Sequence, residues 1–106
     1  MRFVLLLILS LCSASAFAEV KEYTLTLRNN RFVPAQLTVP ANTKFKLIVV
    51  NQDKTPEEFE SHELNREKIV AGNGKITVMI GPLKPGRYPF FGEFHMDTAK
   101  GALIAK

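Results

Sequence analysis

From Tyr23 onward, apolar residues recur at every second position. Tyr23, Leu25 and Leu27 alternate with Thr24, Thr26 and Arg28. Phe45, Leu47 and Val49 alternate with Lys44, Lys46 and Ile48, and Ile76, Val78 and Ile80 alternate with Thr77 and Met79. Successive side chains of a strand point to opposite faces, so this period predicts half-buried strands and argues against helices. Phe32, Leu37 and Val39 continue an extended path around Pro34 and up to Pro40, and prolines so placed suit edges or bends. Ile69-Val70, Arg87 to Phe91 and Gly101 to Ala105 supply further strand character. Turn signals fall between these runs: Asn29-Asn30, Gly72-Asn73-Gly74 and Pro85-Gly86. The last predicts a type II turn with Gly86 at positive φ. Short strands with turns about every eight to twelve residues point to an all-β sandwich or barrel.

One segment breaks the pattern. Residues 52–68 hold six of the ten acidic residues: Asp53, Glu57, Glu58, Glu60, Glu63 and Glu67. Thr55, Pro56 and Glu58 have the order of an N-cap, a first helical residue and a reciprocal capping partner. The expectation here is a loop with at most one short helical turn.

The N-terminus carries an export pattern. Arg2 precedes the apolar run Phe3 to Leu11, and Ala16-Phe17-Ala18 has the small-x-small form of a cleavage site. Residues 1–18 are therefore expected to be a signal peptide, with a domain at 19–106 and no stable membrane insertion after cleavage. Leu11 precedes Cys12 where a lipidation motif requires a small residue, which argues against a lipid anchor. Cleavage takes away Arg2, one of 14 basic residues, and none of the 10 acidic ones, leaving a formal charge of +3. The basic residues are dispersed, so nucleic acid is not an indicated partner. Cys12 is the one cysteine and leaves with the peptide, so the exported domain has no disulfide and no thiolate.

The segment LKPGRYPFFGEFH, residues 83–95, followed by Gly101-Ala102-Leu103-Ile104, resembles the C-terminal half of cupredoxins. Asn51 closing a strand ahead of Thr55-Pro56-Glu57-Glu58-Phe59 resembles their other ligand-bearing loop. The resemblance covers nearly all of residues 20–105 and implies a single-domain, cupredoxin-like Greek-key β-sandwich. In blue-copper members the C-terminal loop supplies a cysteine, a histidine and an axial methionine, and the first loop a second histidine. On this chain those places fall at Gly92, His95, near Lys100, and at Glu57. Only the histidine at His95 is kept. A blue site depends on a copper–thiolate bond, so what remains is a harder set: Glu57, Glu58, His95 and Met96 as candidate metal ligands.

PEEFES, LKPGRYPFFGEFH and DTAKG further resemble small periplasmic cupredoxins of Ftr-type ferrous iron systems. That likeness implies copper as cofactor, iron as transient substrate, and an iron permease or other inner-membrane component as partner. A copper carrier without redox turnover is one alternative. A metal-free adaptor docking on a transporter through Phe90, Phe91 and Phe94 is another.

Each candidate also has a plainer role. Glu57 is a helix first-turn glutamate, Glu58 a capping partner, Met96 a gap filler and His95 a solvated loop residue. Glu93 and Asp97 flank His95 and suit the orientation of its ring or the holding of iron. His62 with Glu63 or Glu67 forms a weaker candidate second site. Tyr88, following Pro-Gly, occupies the place of a tyrosine corner. Enzymatic motifs are lacking: there is no nucleophile elbow and no glycine-rich phosphate loop.

Overall fold

The computed structural model describes residues 20–106. The expected signal peptide, with Cys12, lies outside the described residues. Nine strands follow one another: β1 (Glu22–Arg28), β2 (Arg31–Val33), β3 (Gln36–Val39), β4 (Phe45–Asn51), β5 (Glu57–Ser61), β6 (Arg66–Val70), β7 (Lys75–Ile80), β8 (Gly86–Gly92) and β9 (Lys100–Ala105). A single turn of 3-10 helix, Glu93–His95, lies between β8 and β9.

The strands form two sheets, ordered β2-β1-β4-β7 and β3-β9-β8-β5-β6. β1 pairs parallel with β4, and β3 parallel with β9, while the remaining ladders are antiparallel. Parallel neighbours cannot be joined by a tight hairpin, so the chain must cross between sheets. The alternation of apolar residues sets which face is inside. In β4, Phe45, Leu47 and Val49 point into the core, and in β1 Leu25 and Leu27 do. Facing them from the second sheet are Phe59, Val70, Phe90 and Leu103. Phe32 of β2 crosses the gap, its ring meeting Phe90 edge-on at 5.1 Å and Phe59 at 6.2 Å.

Two local expectations fail. Residues 57–61 form a strand, not a loop or helical turn, and residues 66–70 form its hairpin partner. The cause is tertiary. Glu57, Phe59 and Ser61 all face inward, and each polar member finds a distant partner, so a sequence rich in glutamate sustains a buried strand. Ser61 Oγ donates to the Pro89 carbonyl at 2.6 Å and accepts from the Leu64 amide. Gly86 does not adopt a positive φ, so Pro85-Gly86 is not a type II turn. Gly86 instead opens β8 opposite Ala105, and among the described residues the glycine at positive φ is Gly81, at 90°. The tyrosine corner does form: Tyr88 Oη donates to the Lys84 carbonyl at 2.7 Å.

The end of the sandwich that carries the site is tied by side chains. Asn51, buried at the end of β4, donates through Nδ2 to the carbonyls of Thr55 at 2.9 Å and Ala71 at 3.2 Å. Its Oδ1 accepts from the Asp53 amide. Asp53 in turn accepts from the amides of Asn29 and Asn30, both in the left-handed region that asparagine tolerates. A Cβ at Gly72 would stand 2.0 Å from the Lys54 carbonyl oxygen, so this loop closes only over a glycine. Together these contacts fix the entry to β5, and hence the position of Glu57.

Candidate functional site

Glu57 begins β5 with its side chain directed into the sandwich, and it is 1% exposed. A buried carboxylate is costly unless its oxygens are paired. Here Oε1 accepts from the Phe94 amide at 2.8 Å and from the Glu58 amide at 2.9 Å. Oε2 lies 2.6 Å from Nδ1 of His95. The imidazole comes from the last residue of the 3-10 turn, whose carbonyl accepts from the Thr98 and Ala99 amides. The ring is partly open to solvent, its side chain 34% exposed. A buried carboxylate thus grips the inner edge of a half-exposed histidine.

Gly92 lies directly beneath this pair, opposite Phe59 in the β5–β8 ladder, and its amide donates to the Ala99 carbonyl. A Cβ built there would come within 2.6 Å of Glu57 Cδ, 2.8 Å of Glu57 Oε2 and 2.8 Å of the Ala99 Cβ. The place where a thiolate would project is therefore filled by the Glu57 carboxylate. Near Lys100, where the methionine place falls, stands the small, fully buried Ala99. These residues do not fit a thiolate-centred copper site: among the described residues there is no cysteine, and the volume at Gly92 is taken. A nitrogen-anchored ion remains compatible with the outer edge of His95, because a ligating imidazole is commonly held by a carboxylate on its other nitrogen.

The other expected ligands lie elsewhere. Glu58, the next residue along the strand, points out from the sheet and joins Glu60 and Glu93, with one oxygen from each within 4.8 Å of the others. Glu60 was not singled out by the sequence; its i, i+2 spacing from Glu58 on one strand was the available signal. Crowding of like charges raises these carboxyls. A hydrogen bond to Glu93 pushes Glu60 up to about 7, with partial desolvation and the charges of Glu93, Glu67 and Glu58 adding to it. Glu58 is also raised, first by desolvation and then by its hydrogen bond to Glu67.

Met96 is 55% exposed and lines a shallow groove with Arg87, Pro89, Phe91 and Lys100. Of the three phenylalanines suggested as a rim, Phe90 is in the core, Phe91 is half-buried and Phe94 is 48% exposed. His62 is exposed, its ring 5.5 Å from that of Phe91, and it shares a small cleft with Glu60 and Glu67. Asp97 is exposed. Glu57 and His95 are thus brought together, Glu58 lies on the opposite face of the same strand, and Met96 belongs to the neighbouring groove.

A two-sheet sandwich in which the start of β5 meets a histidine of the β8–β9 connection at one end is compatible with a cupredoxin architecture. The model of the cupredoxin-like domain family matches residues 1–105, and the chain belongs to that family. It is 49% identical over 86 residues to an uncharacterised protein of Rickettsia prowazekii (strain Madrid E), covering 81% of this chain and 69% of the other. Among solved structures it is similar to auracyanin A, a "blue" copper protein of Chloroflexus aurantiacus, with a TM-score of 0.69 and 12% identity over 80% of this chain and 98% of that one. It is also similar to amicyanin of Paracoccus versutus, with a TM-score of 0.63 and 14% identity over 84% and 83%. At such identities the two structures attest the fold. Among the described residues, no helix is long and apolar enough to cross a membrane.

Proposed function

We propose that this protein is an exported metal-binding accessory of the periplasm that anchors a transition metal, copper foremost, on an imidazole instead of a thiolate. In this reading it serves ferrous iron uptake through an inner-membrane permease. The observation that carries the proposal is the His95–Glu57 pair: a partly exposed imidazole, gripped by a buried carboxylate at 2.6 Å, where the β8–β9 connection meets the start of β5. Kinship of fold with a blue copper protein supports copper as the ion. Copper(II), when bound, supplies a one-electron acceptor suited to iron(II).

The chain's own contribution is to hold the imidazole in one orientation and to keep hard carboxylates close by. Glu58, Glu60 and Glu93 stand on the outer face of the same strand and turn, and carboxylates are the ligands preferred by hard cations. Periplasmic location is supported by the export pattern of residues 1–18, and the iron permease by the likeness of the PEEFES, LKPGRYPFFGEFH and DTAKG segments to iron-system cupredoxins.

The test is ferrous iron uptake by cells lacking the chromosomal gene and complemented with the wild type or with His95→Ala. Uptake restored by the wild type and not by an equally abundant His95→Ala protein supports the reading. A second reading, the metal-free adaptor, is favoured by the filled cavity at Gly92 and by exposed Phe94 and Met96. It expects His95→Ala to restore uptake fully and Phe94→Ser to fail.

A further inference from the structure

We propose that Glu57 is a positioning residue for His95: it fixes the ring with a protonated Nδ1 toward the buried carboxylate, so that the lone pair available to a metal lies on Nε2, on the outer side of the ring. The part concerning a metal rests on the function proposed above; the part concerning the ring's orientation and tautomer stands without it.

The geometry begins with the carboxylate. Oε1 is committed to two backbone donors, the amides of Phe94 and Glu58, at 2.8 and 2.9 Å. Those amides cannot move without unravelling the start of β5 and the turn that carries His95. Oε2 is then left facing Nδ1 at 2.6 Å. An ionised carboxylate only accepts, so the ring nitrogen opposite it donates. A neutral imidazole that donates from Nδ1 has its lone pair on Nε2. Because Glu57 is 1% exposed and the histidine side chain 34%, the pair has an inside and an outside, and Nδ1 is on the inside.

The cavity leaves the inner nitrogen no other occupant. The Glu57 carboxyl carbon and Oε2 stand 2.6 and 2.8 Å from where a Cβ on Gly92 would lie, and Ala99 closes the same space at 2.8 Å. An ion placed between Nδ1 and Gly92 would have to displace Glu57 from both amides. The lowest-cost route to a metal is therefore the outer nitrogen, completed by water or by groups at the surface.

Substitution by glutamine separates positioning from packing. The carboxamide has nearly the same shape, and its oxygen must face the two backbone donors. Its NH2 then faces Nδ1, which is forced to accept. In Glu57→Gln the ring proton moves to Nε2 and the outward lone pair is lost, while the fold is retained.

The test is 15N NMR of the histidine rings in the labelled protein purified after export, with and without zinc(II) as a diamagnetic probe. In the wild type, His95 should show a pyrrole-like Nδ1 and a pyridine-like Nε2, and zinc should shift Nε2 while Nδ1 keeps its proton. Glu57→Gln should exchange the two signatures and weaken zinc binding by about 10–100-fold, as expected when a carboxylate partner of a ligating histidine is lost. Glu57→Asp, which keeps an acceptor, should restore the wild-type signature. A wild-type ring protonated on Nε2, or zinc displacing the proton from Nδ1, overturns the inference. If zinc and copper both fail to bind while the wild-type ring shows the expected tautomer, the metal-binding function falls and the positioning role of Glu57 stands. Should Glu57→Gln not fold, the wild-type spectrum alone decides the tautomer.

Discussion

Placing a cysteine at Gly92 would restore the residue on which a blue copper site depends, and the structure gives a reason why the chain cannot accept it. The new Cβ would be 2.6 Å from Glu57 Cδ and 2.8 Å from both Glu57 Oε2 and Ala99 Cβ. Carbon atoms in contact prefer separations of about 3.5–4.0 Å, so each overlap is close to 1 Å. Forcing bulk into a packed interior costs about 1–3 kcal/mol. Here the group that must yield is a carboxylate with three partners, two of them amides, and a hydrogen bond to a charged group contributes about 1.5–3 kcal/mol. A loss of about 3 kcal/mol or more follows for Gly92→Cys. For a domain of this size each kcal/mol lowers Tm by about 4–8 °C, so the drop should reach about 12–24 °C.

The assay is urea unfolding of wild type, Gly92→Cys, Glu57→Ala and the double variant, under reducing conditions. Removing the carboxylate relieves one clash and leaves Ala99, so the double variant should be more stable than the sum of the single losses by about 0.5–3 kcal/mol, the coupling expected of residues in contact. A Gly92→Cys protein within about 0.5 kcal/mol of wild type, the range of neutral surface changes, would refute the claim that Glu57 fills the cavity.

Other perturbations have equally specific outcomes. Glu57→Ala leaves the Phe94 and Glu58 amides without their acceptor and should cost about 2–6 kcal/mol in urea unfolding, at about 1–3 kcal/mol for each buried group left unpaired. Tyr88→Phe removes the bond to the Lys84 carbonyl and should cost about 0.5–1.5 kcal/mol by the same method, with metal affinity unchanged. Glu60 titrates near 7 when folded against an ordinary 4.5, so the folded state holds the extra proton between those values. Stability should therefore fall as pH rises from about 4.5 to about 7 and level off above. Glu93→Gln removes the leading cause and should flatten that part of the profile, whereas a wild-type stability that climbs through this window because of Glu60 contradicts the crowded arrangement.

The parts of the fold set by local alternation were legible from the sequence. β1, β4 and β7 each present apolar residues at period two, and burial follows it, with Phe45, Leu47 and Val49 inside as expected. β5 was not legible, because its inward positions are Glu57, Phe59 and Ser61. Two of these are polar, and besides the nearby amides of Glu58 and Leu64 their burial depends on partners 28 to 38 residues away, at Pro89, Phe94 and His95. No local window contains that information. The same holds at Pro85-Gly86, where the local signal favours a turn but pairing with Ala105 draws Gly86 into β8. At the site, Glu57 and His95, both put forward as ligands by family likeness, stand beside each other. That likeness could not show that adjacent Glu58 faces away, which follows from the strand that the acidic composition concealed.

The most direct measurement is a copper(II) titration of the protein purified after export, comparing wild type with His95→Ala and following both heat and visible absorption. A single site in the wild type, lost or weakened at least tenfold in His95→Ala and without the intense blue absorption of a thiolate centre, is the expected result. Copper binding that is unchanged by His95→Ala, or a strong blue colour in the wild type, would contradict the account of an imidazole-anchored metal on a cupredoxin fold without a thiolate.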